Sequence, residues 1–178
     1  MVKEGLQDWI EAVGPEKSKK WLTQGSRRGN AAHEMIENYV FGYPEKKRMP
    51  NELDLFLRLK RAADKHLDNI ICVEGQMVSD FLRSAGTVDM VAEWDGRMSI
   101  IDWKTARKPR EDDWAESYFI QESAYAVMFE ENTGIPVDTL VTVVSCESGE
   151  TQIFVRKRDK WIGEFIKLRD AMELPCVA

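Results

Sequence analysis

Gly86-Thr87-Val88-Asp89-Met90-Val91-Ala92-Glu93-Trp94, then Asp95-Gly96, then Arg97-Met98-Ser99-Ile100-Ile101-Asp102-Trp103-Lys104 reads as two strands joined by a two-residue turn. Strand-forming residues fill both arms, and Asp-Gly is a strong hairpin signal. With that turn Trp94 faces Arg97, and counting back in register sets Asp89 opposite Asp102 and Thr87 opposite Lys104. All four then share one face. The other face carries Val88, Met90, Ala92, Trp94, Ile101 and Trp103, while Val91 and Ile100 keep even the first face apolar. The pair is expected at the centre of a sheet covered on both sides, with Trp103 in the core.

Opposed strand residues stand about 4.5 to 5.5 Å apart at Cβ, and like charges there are destabilising. Either one carboxylate keeps its proton, or a divalent cation sits between the two. Lys104 lies two residues beyond Asp102 on the same face and favours the cation, because an ammonium there can hold a water or a phosphate oxygen beside it. Taken alone, the three residues are explained equally well by a charged strand end reaching solvent, with Lys104 neutralising Asp102.

Outward from the hairpin, Glu4–Val13 and Pro15–Leu22 read as short helices, Pro15 being suited to a first helical position after Gly14. A third helix is predicted from about Ser26 to Tyr39. A fourth runs Asn51–Leu67, with Leu53, Phe56, Leu57, Leu59 and Ala63 at helical spacing. A strand over Asn69–Val78 precedes the hairpin. A helix from about Asp113 to Glu131, ended by Asn132-Thr133-Gly134, follows it. Strands Thr139–Ser145 and Thr151–Arg156 turn at Ser148-Gly149. The last helix, Asp159–Met172, sets Trp161, Phe165, Leu168 and Met172 on one stripe expected in the core. The order predicts a mixed α/β fold with a central sheet of about five strands flanked by helices.

At 178 residues the chain fits a single domain. With 43% hydrophobic and 31% charged residues and no long apolar run, it is ordinary soluble composition without a membrane partner. The N-terminal residues lack the pattern of a presequence, so a cytoplasmic location is expected. Cys72, Cys146 and Cys176 are odd in number and far apart, which disfavours a disulfide framework or a cysteine-bound metal and suits reduced core thiols.

The net charge of −6 is a poor guide to nucleic-acid binding, because the basic residues are clustered. Lys17, Lys19, Lys20, Arg27 and Arg28 form one group, Lys46 to Arg48 a second, and Arg58 to Lys65 a third. Such runs are usually solvated faces. The fourth group, Lys104, Arg107, Lys108 and Arg110, directly follows the paired acids.

Glu74 interrupts the apolar run Ile70-Ile71-Cys72-Val73, so it either meets a partner or faces solvent from an edge strand. His33 lies one helical turn after Gly29, on a face that another element can approach closely; a lone helical histidine is more often structural. Gln121 and Tyr125 are also one turn apart, fit to hold a ligand or to close a helix-sheet contact.

Gly29 through His33, Glu74, Gly86 through Asp89, Asp102-Trp103-Lys104 and Gln121 through Tyr125 occur in an order and spacing that resemble the RecB-like exonuclease branch of the PD-(D/E)XK nucleases. Within that branch the chain most resembles the mitochondrial genome maintenance exonucleases and related phage-type exonucleases. The likeness covers roughly residues 26 to 130. It implies a restriction-endonuclease-like core over 26–158, with 1–25 a helical extension and 159–178 a C-terminal helix.

The resemblance further implies that His33, Asp89, Asp102 and the backbone carbonyl of Trp103 ligate Mg²⁺ or Mn²⁺, and that Lys104 positions or activates the attacking water. Glu74 would bind a second metal or orient a ligand, and Gln121 and Tyr125 would support the site or touch substrate. Hard oxygen donors with one imidazole and no sulfur suit those ions. Some relatives carry a cysteine-bound iron-sulfur cluster; three scattered cysteines predict none here, and no CRISPR-adaptation role.

The expected function is a metal-dependent exonuclease acting on single-stranded DNA or DNA ends, in the host cytoplasm for a phage-encoded chain. Arg27, Arg28, Arg107, Lys108 and Arg110 are the candidate phosphate contacts. Tyr43 and Trp114 are candidates to stack unpaired bases, or core residues. The alternative is a nuclease-like module that grips DNA or a protein partner, of unknown identity, without cutting. A restriction-type endonuclease would need sequence-reading loops, and the chain shows none.

Overall fold

The computed structural model describes residues 2–44 and 46–172, with side chains from residue 7 onward except those of 45 and 112. Cys176 lies outside the described residues. Helix α1 (Val2–Val13) ends at Gly14, whose φ of 90° suits glycine, and Pro15 opens α2 (Pro15–Phe41). The two helices expected over Pro15–Leu22 and from Ser26 are one helix of 27 residues. Gly25 costs about 1 kcal/mol in helix propensity, but packing holds both halves. Trp21 meets Trp9 of α1 with ring centroids 5.9 Å apart, and Ala31, Ala32, Met35 and Ile36 are buried in the core.

Helix α3 (Pro50–His66) starts with Pro50 in its first turn, and the Met49 N–H donates to the Glu52 carboxylate at 3.2 Å, so Glu52 rather than Asn51 caps it. Leu55, Phe56, Leu59, Ala62 and Ala63 form its buried stripe, which leaves Leu53 and Leu57 exposed.

Five strands in the order β1-β2-β3-β4-β5 make one mixed sheet: β1 (Leu67–Ser79), β2 (Ser84–Trp94), β3 (Arg97–Ala106), β4 (Thr139–Cys146) and β5 (Thr151–Lys157). The Asp95-Gly96 turn is made as read, with φ of 50° and 73°, and Trp94 pairs with Arg97. Strands β3 and β4 are parallel, joined across one sheet face by a 3₁₀ turn (Asp112–Ala115) and α4 (Glu116–Thr133). Gly134, left-handed at φ 74°, closes α4 and donates to the Glu130 carbonyl at 2.8 Å.

Helices α2 and α3 cover one sheet face over Met90, Ala92, Trp94, Ile101, Trp103, Val141 and Val143. Helix α4 covers the other, over Val91, Ile100, Leu140, Val144 and Phe154. All eight residues of β4 are buried. The C-terminal segment is a 3₁₀ turn (Arg158–Lys160) and α5 (Ile162–Ala171). Trp161 is buried and Phe165 packs on the core, but Leu168 and Met172 are exposed and line an open pocket against α4 instead of closing on it. No helix of the described residues is long and apolar enough to cross a membrane.

Candidate active site

The site forms where the regular ladder opens. Strand β2 pairs with β3 from Trp94/Arg97 to Met90/Ile101 and stops one residue short of Asp89 and Asp102. Here the Asp89 carboxylate takes the ladder's place, accepting the Trp103 N–H at 3.0 Å. On the other edge of β2, pairing with β1 holds at Val73/Met90 and Gly75/Val88 but skips Glu74 and Asp89. Glu74 is left-handed at φ 49°, a conformation costly for a residue with a Cβ and typical of functional strain.

The alternation of β2 breaks with it. Met90 packs in the α2/α3 layer while Val88 packs in the α4 layer, so the uniform face expected for Val88, Met90 and Ala92 does not extend past Asp89. A further irregularity upstream, with Asn69 left-handed, puts Ile70 and Ile71 in solvent, and β1 is an edge strand rather than a buried one.

This distortion aims Glu74 and Asp89 at α2. His33 Nδ1 lies 3.4 Å from Asp89 Oδ2 and 3.9 Å from Glu74 Oε1. One donor atom from each of the three lies within 4.8 Å of the others. Two oxygens on opposite sides of one Mg²⁺ stand about 4.2 Å apart, so the cluster is near ligation spacing, and its donors are those that suit Mg²⁺ or Mn²⁺. Gly29, one turn before His33, has open space around it, and among the described residues no element makes the close approach that its face allows.

Asp102 and Lys104 sit beside this cluster. Asp102 is 5% exposed, and its Oδ2 is 2.5 Å from Lys104 Nζ. The carboxylate and the ammonium form a close, largely buried ion pair. Burial, opposed by Lys104 and reinforced by the charge of Asp89, pushes the Asp102 carboxyl up to about 6. Burial alone would lower Lys104, yet the two aspartates outweigh it and hold the ammonium charged. Trp103 turns its ring into the α2/α3 core, as expected.

Gln121 Nε2 donates to the Tyr125 hydroxyl at 2.8 Å. Tyr125 lies flat enough on β2 that a Cβ on Gly86 would meet its ring at 2.6 Å, which explains a glycine there. Gly86→Ala is expected to lower stability by about 1 to 3 kcal/mol and to displace Tyr125. Urea denaturation checks the first effect and the loss of the Tyr125 ring contacts by NMR the second.

Glu122 was not singled out by sequence. It is 1% exposed, accepts a hydrogen bond from Thr142 Oγ1, and leaves Oε2 without a partner. Thr142 pairs across the sheet with Asp102. Burial first, then the charge of Asp102, hold the Glu122 carboxyl well above the usual carboxylate range. A signal was present: Phe119, Glu122, Ser123 and Ala126 recur at i, i+3, i+4 and i+7, so an acid occupies the sheet-facing stripe.

Three of the five candidate phosphate contacts, Arg28, Arg107 and Arg110, line one pocket, while Arg27 and Lys108 stand apart from it. Arg27 bonds Glu52 at 3.1 Å, on a surface shared with Lys47 and Arg48. Arg28, about 100° round the helix, pairs with Glu147 at 2.8 Å. Arg107, Lys108 and Arg110 are exposed beyond the end of β3. Trp114 is half-buried against Tyr118, and Tyr43 is exposed and stacked on Phe41.

Residues 20–160 match the family model of the PD-(D/E)XK nuclease superfamily. Over 112 residues the chain is 25% identical to the human protein named mitochondrial genome maintenance exonuclease 1, covering 62% of this chain and 33% of that one. The chain thus spans about a third of that relative. A crystal structure from Eubacterium rectale, named "Putative exonuclease", superposes with a TM-score of 0.57 at 12% identity, over 82% of this chain and 64% of that one. A mixed five-stranded sheet between helices, opened at a cluster of acids beside a lysine, agrees with the match over residues 20–160, and the chain belongs to the PD-(D/E)XK nuclease superfamily.

Proposed function

We propose that this domain is a metal-dependent deoxyribonuclease that hydrolyses phosphodiester bonds from DNA ends, with a preference for single strands. The observation that carries the reading is the convergence of His33, Glu74 and Asp89, from α2, β1 and β2, beside the Asp102–Lys104 pair. Nothing in the packing of the sheet requires three acids and an imidazole at the point where its ladder opens. Mg²⁺ or Mn²⁺, when bound, supplies a water of lowered pKa and charge stabilisation on the phosphate.

His33, Asp89, Asp102 and the Trp103 carbonyl are the proposed ligands, with Glu74 orienting a ligand or holding a second ion. Lys104 holds the attacking water or a phosphate oxygen through its charged ammonium. Asp89, bonded to the Trp103 N–H, fixes β2 against β3 so that these groups keep their spacing. Gln121 and Tyr125 brace the site from α4. The exonuclease name of the human relative, and its stated role in genome maintenance, support DNA as substrate.

The test uses end-labelled linear and covalently closed circular single strands, and linear duplex, each with Mg²⁺, Mn²⁺ or EDTA. Linear single strands are expected to shorten from an end only with metal, duplex more slowly, and circles to survive. Binding without metal-dependent cleavage would instead identify a DNA-gripping module, and efficient cutting of circles an endonuclease.

A further inference from the structure

We propose that the pocket between α1, α2 and the end of β3 is a stacking subsite for an unpaired base of the strand that enters the metal site, with Trp21 as its platform. The inference rests on the nuclease reading and adds a place, and a chemical reason, for single-strand preference. The cavity measures about 330 Å³, and Trp9, Trp21, Arg28, Arg107 and Arg110 are among its walls. Thr105 and Ala106 form its floor. These two residues follow Lys104 along β3, so the pocket lies at the end of the strand that carries Asp102 and Lys104.

The Trp21 ring carries cations from two elements. Lys17 Nζ and the Arg107 guanidinium each lie 5.1 Å from its centroid, and Trp9 packs tilted against it. From the pocket a series of cations and rings leads to the chemistry. Arg110 lies 4.9 Å over Trp114, Trp114 stands edge-on to Tyr118 at 5.0 Å, and Lys104 lies 5.1 Å over Tyr118.

Flat rings interleaved with guanidinium and ammonium groups match an unpaired strand. Bases stack on the rings regardless of sequence, and phosphates meet the cations between them. A duplex keeps its bases in its own stack and offers nothing to Trp21. Several other basic groups are taken: Arg58 pairs with Asp54, Lys60 with Asp64, and Lys46 with Glu34. Among the described residues Arg107 and Arg110 have no carboxylate partner. The loop carrying Arg110 is also fixed, since the Gln152 amide both accepts the Arg110 N–H at 2.7 Å and donates to its carbonyl at 2.8 Å. Its backbone is thus anchored at the pocket rim.

The experiment compares wild type, Trp21→Ala and Trp21→Phe in three assays. These are binding of oligo-dT and of a matched duplex in Ca²⁺ by anisotropy, cleavage of oligo-dT in Mg²⁺ or Mn²⁺, and turnover of methyl 4-nitrophenyl phosphate, a small diester whose one ring is its leaving group and which carries no second ring to stack. Trp21→Ala is expected to raise the oligo-dT Kd and KM about tenfold, the loss of one stacked base. Its effects on kcat, on duplex binding and on the small diester should stay within about twofold. Trp21→Phe, which keeps a ring, should recover most of the affinity.

Unchanged oligo-dT affinity in Trp21→Ala would overturn the proposal. Equal losses for duplex would do the same, as would a parallel loss of small-diester turnover, which would make Trp21 a structural residue. If wild type cleaves neither substrate, the nuclease reading fails, while Trp21-dependent, single-strand-selective binding in Ca²⁺ still reports the subsite.

Discussion

Asp102→Asn is expected to lower kcat on single-stranded DNA about 10³-fold, the scale of losing a main electrostatic element of a hydrolytic site, while oligonucleotide affinity in Ca²⁺ changes little. The carboxylate ends a core strand, is almost wholly buried, and faces Lys104 at 2.5 Å. An amide keeps its shape and removes its charge. Two functions go together: a proposed metal ligand, and the counter-charge that keeps the buried Lys104 ammonium in place. Lys104→Ala is expected to cost a similar factor, and the double variant little more, because groups that act as a unit are far from additive. Single-turnover rates on end-labelled oligo-dT measure all three. Activity within tenfold of wild type in Asp102→Asn would move the chemistry elsewhere.

The second large effect concerns stability. Without metal, Glu122→Gln is expected to gain stability over wild type as pH rises above the ordinary glutamate range, by up to about 1.4 kcal/mol per pH unit. In the unfolded chain Glu122 ionises near its ordinary value of 4.5, whereas the folded protein holds the proton to a much higher pH. Between those two values the unfolded state binds fewer protons than the folded one, so wild-type stability falls as pH rises. Glutamine has no proton to lose and escapes that slope. The contribution of Asp102, also raised, is common to both proteins and cancels in the difference to first order. Urea denaturation in EDTA at several pH values reads the effect. A pH-independent difference between the two proteins would show that Glu122 is ionised when folded.

The central hairpin was legible because its signals are local. Asp95-Gly96 demands positive φ at two residues, and the register it sets holds for five pairs, from Trp94/Arg97 to Met90/Ile101. The register then stops at the functional residues themselves. Asp89 spends its side chain on the Trp103 N–H, and Glu74 takes a left-handed backbone that period-two reasoning does not allow. Both departures turn the acids toward His33, so the rule fails where the site is built.

The continuity of α2 through Gly25 was hidden because tertiary contacts of Trp21 and Met35 outweigh a local propensity cost. The Trp21 pocket was illegible for another reason, since it joins residues 9, 21 and 107, which only the fold brings together. Glu122 could have been found. Its place on the sheet-facing stripe of α4 was readable from the spacing of Phe119, Glu122, Ser123 and Ala126.

The proposed chemistry needs a metal at the point where β2 and β3 part, and Mn²⁺ can be located directly by its anomalous scattering. A crystal of the Lys104→Ala variant soaked in Mn²⁺ with a short oligo-dT is expected to show an anomalous peak bounded by the His33 imidazole and the carboxylates of Asp89 and Asp102. A crystal with no Mn²⁺ at these residues, or with Mn²⁺ only at a cluster that excludes Asp89, would contradict it.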